Sequence, residues 1–170
     1  MSNPYISIEA ALEMISDNTS VLLDCRWFLD GRDARALYRE GHIPGARFLD
    51  MEEVATDLSI KNTGRHPLPS VSDYCKSIGA LGVTKDSTAI LYDSDAGTIA
   101  ARIWWMNRQL GIRSYIITGG IQSYTGNLET GVSSFEGNSF ECTRDDWENT
   151  LNTDNFSVVA QNRVEAVGSN

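Results

Sequence analysis

The most informative candidate for chemistry is a short loop, Asp93-Ser94-Asp95-Ala96-Gly97-Thr98. Before it, Thr88–Tyr92 is a run of strand-forming residues and predicts a buried strand, and residues 98–110 after it predict a helix. A strand, a glycine-containing loop and a helix N-terminus together present a cradle of backbone N–H groups. Such a cradle suits a bound anion or the thiolate of a cysteine.

The three cysteines are the candidate nucleophiles and redox groups. Cys25 stands beside Arg26, which could lower the pKa of the thiol, but a small buried residue at a strand end is the favoured interpretation. Cys75 lies in an amphipathic helix and is expected in the core. Cys142 lies in the polar C-terminal segment and is expected to be accessible and the most reactive thiol. Three widely spaced cysteines and two histidines have no zinc-binding spacing, so no metal is expected, and a reducing compartment is the default.

Alternating strands and helices must position these residues. Strands are predicted at 5–7, 21–24, 88–92 and 115–117, and helices at 8–15, 33–39, 70–81 and 98–110, with Ser7 as a helix N-cap. This alternation predicts an α/β domain with a mostly parallel sheet. In such sheets ligands bind at the carboxyl ends of the strands, so the loops after Asp24, Tyr92 and Thr118 are the places to look for a site.

Composition and charge exclude several classes of protein. The chain has 170 residues, 41% of them hydrophobic, which is enough for a real core. No apolar run approaches the roughly 20 residues of a membrane span, and the start, Met1-Ser2-Asn3, lacks a secretory signal, so a cytoplasmic protein is expected. The net charge of -9 has the wrong sign for binding nucleic acid.

The negative charge is concentrated in the last quarter of the chain. Residues 1–126 carry 15 acidic and 12 basic side chains, a net of -3, whereas residues 127–170 carry 8 and 2, a net of -6. The segment 127–170 is also rich in Asn, Ser, Thr and Gly. It predicts a polar extended connector, with four aromatic residues as its possible anchors, Phe135, Phe140, Trp147 and Phe156.

Several motifs, in order along the chain, resemble those of the rhodanese family of sulfurtransferases. They are Leu23-Asp24-Cys25-Arg26, Gly41-His42-Ile43-Pro44-Gly45-Ala46 and Thr118-Gly119-Gly120. Further segments are similar to the N-terminal, non-catalytic half of tandem-domain thiosulfate and 3-mercaptopyruvate sulfurtransferases. These are Arg47-Phe48-Leu49-Asp50, His66-Pro67-Leu68-Pro69, Leu91-Tyr92-Asp93 and Ala101-Arg102-Ile103-Trp104-Trp105-Met106. The resemblance runs from about Tyr5 to Tyr124.

The resemblance implies a three-layer fold, a mostly parallel central sheet with helices on both faces, and a loop without its nucleophile. Active rhodanese domains carry a cysteine at the position that Asp93 matches here, within one residue. No cysteine lies between Cys75 and Cys142, and a carboxylate cannot accept a sulfane sulfur, so the chain alone is predicted to be inactive. No catalytic residue and no cofactor are implied.

The remaining site residues are also implied by the resemblance. His42, Pro44 and Gly45 are expected to form a structured turn. Trp27, Phe28 and Ile99 are expected at the cleft that the N-terminal half presents to the catalytic half, where Trp27 would form part of an apolar wall.

Two functions remain open. In the first, residues 5–126 form a rhodanese-like domain and 127–170 connect it toward a second rhodanese domain. That second domain, in cis or as a separate chain, would perform the sulfur transfer from thiosulfate or 3-mercaptopyruvate that this domain supports, and self-association through the bare surface is the other expected contact. The alternative is an autonomous, non-catalytic rhodanese-like binding or regulatory module. A phosphatase with a Cys-x5-Arg loop is rejected, because Asp93 and the distant Arg102 do not fit that motif.

Overall fold

The described residues form five strands and five helices, which alternate along the chain except for two consecutive helices before the fourth strand. The computed structural model describes residues 3–16, 19–61, 64–94, 96–135, 137 and 140–142. The strands are β1 Tyr5–Ile6, β2 Ser20–Asp24, β3 Arg47–Phe48, β4 Thr88–Tyr92 and β5 Arg113–Ile117. The helices are α1 Ile8–Ile15, α2 Ala34–Glu40, α3 Met51–Ala55, α4 Val71–Ala80 and α5 Ala100–Gln109, followed by a 3-10 turn at Gly120–Ser123.

The strands form one parallel sheet in the order β1-β5-β4-β2-β3. The central strands β2 and β4 pair along their whole length, from Ser20 opposite Thr88 to Asp24 opposite Tyr92. Every residue of β4 is buried, as the continuous apolar run predicted, because a central parallel strand is covered on both faces. The carboxyl ends of β2 and β4 therefore meet at one edge of the sheet.

Side chains of the central strands alternate between two apolar clusters, one on each face of the sheet. Val21 and Leu23 join the cluster covered by α3, α4 and α5, whereas Leu22 joins the cluster covered by α1. This alternation is the period of two that a strand imposes on its side chains. The expectation of an α/β fold with helices on both faces is confirmed.

Helices α1 to α4 begin at capping residues. Ser7 accepts a hydrogen bond from the Ala10 N–H at 3.3 Å, as predicted, and Asp33 and Ser70 cap α2 and α4 in the same way. Strand β3 and helix α3 were not predicted from the sequence. They have only 2 and 5 residues, too few to show a hydrophobic period. Within the described ranges, no helix has both the length and the hydropathy of a membrane span.

The described part of the polar C-terminal segment packs against the domain. The backbones of Glu129 and His42 exchange hydrogen bonds of 3.0 and 2.9 Å, and the Gly131 N–H donates to the Arg39 carbonyl at 2.8 Å. Phe140 is buried and Phe135 is half exposed. Trp147 and Phe156 lie outside the described residues. The division of the chain at residue 126 stays a prediction.

Candidate functional site

The Asp93 carboxylate fills the cradle of N–H groups at the carboxyl end of β4. It accepts hydrogen bonds from the backbone N–H groups of Gly97 at 3.1 Å, Ile99 at 2.9 Å and Ala100 at 3.1 Å. Asp93 is only 2% exposed. The Asp93 carboxylate therefore occupies the place that an external anion would take in this loop. It lies at the start of α5, where the helix dipole favours negative charge.

Gly97 gives the loop its tight path. Its φ is +86°, and an added Cβ would lie 3.0 Å from atoms of both Ile116 and Tyr5. A side chain at this position would meet a strained backbone and two close neighbours at once. The loop can therefore close over Asp93 only with glycine here.

Cys25, the other residue considered as a nucleophile, is fully buried at the end of β2. Its backbone N–H donates to the Tyr92 carbonyl at 2.8 Å. Burial raises the pKa of the Cys25 thiol well above its usual value, and the carboxylates of Asp24 and Asp93 raise it further. Arg26 does not offset these effects, because its guanidinium turns to Asp24. The interpretation of Cys25 as a small buried residue is confirmed.

A buried network of Asp24, Arg26 and Tyr92 lies beside the loop. The Arg26 guanidinium donates to the Asp24 carboxylate at 2.9 and 2.6 Å and to the Gly41 carbonyl at 2.8 Å. The Tyr92 hydroxyl donates to Asp24 at 2.9 Å and accepts from the Ile43 N–H at 3.2 Å. Burial and the Asp24 carboxylate raise the pKa of Tyr92. Because every charged group has a partner, the network joins β2, β4 and the 41–46 turn into one rigid unit.

His42 lies at the centre of the 41–46 turn, with no exposed surface. Its Nδ1 is 2.8 Å from the Tyr38 carbonyl oxygen, and its ring stacks on that of Tyr38 with centroids 4.0 Å apart. Its Nε2 is 3.6 Å from the Glu129 carboxylate, which accepts from the Gly45 N–H at 2.7 Å. Pro44 and Gly45 are exposed. These contacts tie the turn to the segment after residue 126.

Trp27 and Phe28 both line a cleft of about 530 Å³, whereas Ile99 is not among the residues that line it. The Trp27 indole N–H donates to Glu52 at 3.3 Å and its ring meets His66 edge-on, with centroids 5.0 Å apart. Ile99 packs against the same apolar cluster as Trp27. Other residues lining the cleft are Arg26, Leu29, Arg35, Phe48, Met51 and Glu52.

Sequence reasoning missed two exposed leucines and the arginine that holds the loop of one of them. Leu29 is 71% and Leu58 63% exposed. Arg102 of α5 donates to the carbonyl oxygens of Ala55 at 2.7 Å and His66 at 3.0 Å, which holds the loop between α3 and α4 against α5. Leu29, in the polar loop after β2, could have indicated such a surface, whereas Leu58, in the loop after α3, and the partners of Arg102 have no such sequence signal.

Cys75 and Cys142 are joined in a disulfide, with their Cα atoms 6.1 Å apart. Cys75 is buried in α4, as predicted, but the expectation of an accessible, reactive Cys142 is wrong. Cys142 is only 8% exposed, because the described residues around it pack on α4. Among the described residues, no group of three or more His, Cys, Asp or Glu side chains is arranged to hold a metal ion.

Comparison with known proteins identifies the family. Residues 7–127 match the rhodanese-like domain. The chain is 36% identical over 134 residues to a probable 3-mercaptopyruvate sulfurtransferase of Pseudomonas aeruginosa, covering 75% of this chain and 47% of that protein. It is 36% identical over 107 residues to the thiosulfate sulfurtransferase of Bos taurus, covering 61% of this chain and 35% of that protein. The chain thus spans about half or less of the length of these relatives.

Solved structures show the same fold. The 3-mercaptopyruvate sulfotransferase SseA of Escherichia coli superposes with a TM-score of 0.74 at 28% identity, covering 84% of this chain and 56% of that chain. The 3-mercaptopyruvate sulfurtransferase of Leishmania major superposes with a TM-score of 0.74 at 25% identity, covering 83% of this chain and 41% of that chain. With residues 7–127 matched in sequence, this chain belongs to the rhodanese-like domain family.

Proposed function

We propose that this domain is the non-catalytic partner in a rhodanese-type sulfurtransferase. A second rhodanese domain supplies the cysteine that takes a sulfane sulfur from thiosulfate or 3-mercaptopyruvate and passes it to a thiophilic acceptor. The present domain completes and shields the site from one side. The domain binds its partner through the carboxyl edge of its sheet, where Trp27, Phe28 and Leu29 lie.

The observation that carries this proposal is the inward-turned carboxylate of Asp93. A persulfide-forming loop needs a thiolate at the mouth of the N–H cradle. Here three of the loop's N–H groups are already bonded to a carboxylate that is 2% exposed. The loop has neither a nucleophile nor N–H groups at Gly97, Ile99 and Ala100 left for a substrate anion. The buried Cys25, with its raised pKa, is no substitute.

The exposed apolar residues support a role in binding a partner domain. Leu29 and Leu58 are mostly exposed, and Leu68 is 41% exposed. Leu29 borders the cleft of Trp27, and Leu58 and Leu68 belong to the loop that contacts Trp27 through His66. Exposed apolar patches of this kind are uncommon on monomers unless they bind another surface. The relatives are long enough to contain a second domain of similar size.

A complementation assay tests the proposal. The chain is mixed with the separately produced half of the Pseudomonas aeruginosa relative that lies outside the aligned part. Thiocyanate formation is then measured with cyanide and either thiosulfate or 3-mercaptopyruvate. We expect background turnover from this chain alone, and turnover at least about tenfold higher from the mixture than from either part, because positioning of a substrate contributes strongly to rate.

Two outcomes would contradict the proposal. Turnover by this chain alone that disappears in Cys25→Ser would make Cys25 a nucleophile. Binding to the catalytic half without any gain in turnover, or no binding at all, would favour the autonomous binding module instead.

A further inference from the structure

Cys75 and Cys142 are brought together from positions 67 residues apart in the sequence. Cys75 lies in the middle of α4 with no exposed surface, and Cys142 is the last residue that the structure describes. The Cα distance of 6.1 Å is within the range that native disulfides adopt. Cys25, the third cysteine, is buried at the end of β2 and is not paired.

Contacts other than the disulfide hold the two cysteines close. Gly137 lies against the last residue of α4, so near that an added Cβ would be 2.6 Å from the Ala80 carbonyl oxygen. The Cys142 sulfur is 3.8 Å from the carbonyl oxygen of Val71, the first residue of α4. Phe140 is buried in the same apolar cluster as Cys75. The described residues from 137 to 142 therefore follow α4 from its C-terminal end to its N-terminal end.

We propose that Cys75 and Cys142 are a reversible thiol–disulfide pair. Oxidation fastens Cys142 covalently to α4, and reduction leaves the described residues 137 and 140–142 beside α4 through the packing of Phe140 and the close approach of Gly137. The oxidants are low-molecular-weight disulfides of the glutathione type, and their thiols are the reductants.

The chemistry proceeds by two exchanges. Cys142 has the greater exposure, so its thiolate attacks one sulfur of the small disulfide. The bond between the two small-molecule sulfurs breaks, and one thiolate leaves and takes up a proton. The Cys75 thiolate then attacks the Cys142 sulfur and displaces the second small thiolate, which is also protonated. The two cysteine thiols lose two electrons and two protons, and the small disulfide becomes two thiols.

The Cys75–Cys142 disulfide lies on the same side of the sheet as the Asp93 loop. Helix α4 precedes β4 and connects back to the same parallel sheet, so it runs opposite to the strands. Its N-terminal end, where Cys142 lies, is therefore on the carboxyl side of the sheet, with the Asp93 loop. Oxidation fixes the chain at residue 142 on the side where a second domain would bind.

Counting reactive thiols tests the pairing. Protein equilibrated with oxidised glutathione is quenched in acid, denatured and labelled with a maleimide polymer that shifts its mobility on a gel. We expect one label per chain after oxidation and three after reduction with dithiothreitol. Cys142→Ser should carry two labels in either condition, whereas Cys25→Ala should change from none to two. Reduction should lower Tm by roughly 5–15 °C in the unsubstituted protein and leave Tm of Cys142→Ser unchanged.

A second pair of variants tests whether the close approach of Gly137 to α4 is needed for the disulfide to form. Gly137→Ala retains all three cysteines but places a methyl group against the Ala80 carbonyl, so we expect the second exchange to slow at least about tenfold and the mixed disulfide to accumulate. Gly64→Ala is the matched control, because an added Cβ there meets nothing within 4 Å.

Three labels after oxidation, a stable mixed disulfide in the unsubstituted protein, or a disulfide between two chains that increases with protein concentration would each overturn the proposal. An unchanged rate in Gly137→Ala would overturn it too.

Discussion

The Asp93 carboxylate satisfies three backbone N–H groups at the start of α5, so removing it would leave buried donors without an acceptor. Asp93→Ala should lower the free energy of unfolding by about 2–4 kcal/mol, because hydrogen bonds to a charged group are strong and an unpaired buried donor is costly. Asp93→Asn retains one acceptor oxygen and should recover part of the loss. Urea unfolding measures both variants.

Asp86→Ala, in an exposed turn before β4, is the control and should change stability by less than about 0.5 kcal/mol. A loss of under 0.5 kcal/mol in Asp93→Ala as well would mean that water replaces the carboxylate in the cradle. The loop would then be open to an external anion, and the argument against a substrate site at Asp93 would fail.

Cys25 should make the protein sensitive to alkaline pH. Burial raises the pKa of its thiol in the folded state, so the unfolded chain releases this proton at a lower pH than the folded chain does. The stability linked to Cys25 is therefore complete below the unfolded pKa, about 8.5, and is lost as pH rises above it. Between about pH 9 and 10.5, Cys25→Ala should lose stability less steeply than the unsubstituted protein by about 1.4 kcal/mol per pH unit.

Urea unfolding at several pH values measures this difference, with the Cys75–Cys142 disulfide kept intact so that Cys25 is the cysteine that titrates. The buried Tyr74 and Tyr92 also have raised pKa values, chiefly through burial, which Cys25→Ala leaves in place, so most of their contribution to the slope cancels in the comparison. Equal slopes would mean that the thiol ionises as easily in the folded protein as in the unfolded chain, and Cys25 would again be a candidate nucleophile.

At the scale of the elements, the sequence predicted the strands that are buried and the helices that are long enough to show a pattern. The strands β2 and β4 are fully covered, and their unbroken apolar runs showed this in the sequence. The helices α1, α2, α4 and α5 have 7 to 10 residues, long enough to be predicted from the sequence, and the first three also begin at a capping side chain. Strand β3 and helix α3 are fixed by their neighbours instead, β3 by its register with β2 and α3 by the Asp50 cap.

Contacts between distant residues account for the parts of the site that were not predicted. The resemblance placed Asp93 at the nucleophile position, but its inward direction depends on Gly97 and on the start of α5. The pairing of Cys142 with Cys75 joins residues on either side of β4, α5 and β5. A local pattern carries no information about such a contact. The polar composition of the C-terminal segment therefore predicted an exposed Cys142, whereas packing on α4 buries this residue.

For the whole molecule, the distribution of exposed apolar side chains determines where the proposed partner domain would bind. Leu29 lines the cleft beside Trp27, and Leu58 belongs to the loop whose His66 ring contacts Trp27. Val132 is just as exposed, at 70%, but it lines a different, smaller cleft with Arg39 and Leu81, which adjoins the first cleft at Arg35 and Phe48. Trp27 itself is half-buried and packs on the core, so a substitution there would change both association and folding. The exposed leucines separate these two effects better.

Leu29→Ser and Leu58→Ser should each weaken binding to the half of the Pseudomonas aeruginosa relative that lies outside the aligned part by about 1 kcal/mol or more, a fivefold or larger rise in Kd. Their effect on the free energy of unfolding should stay within about 0.5 kcal/mol, since exposed side chains lose little on replacement. Titration calorimetry measures the first quantity and urea unfolding the second. Val132→Ser removes an equally exposed side chain and should leave Kd unchanged. If Val132→Ser weakens binding and the two leucine variants do not, the partner binds at the cleft beside α2, and the carboxyl edge is not the interface.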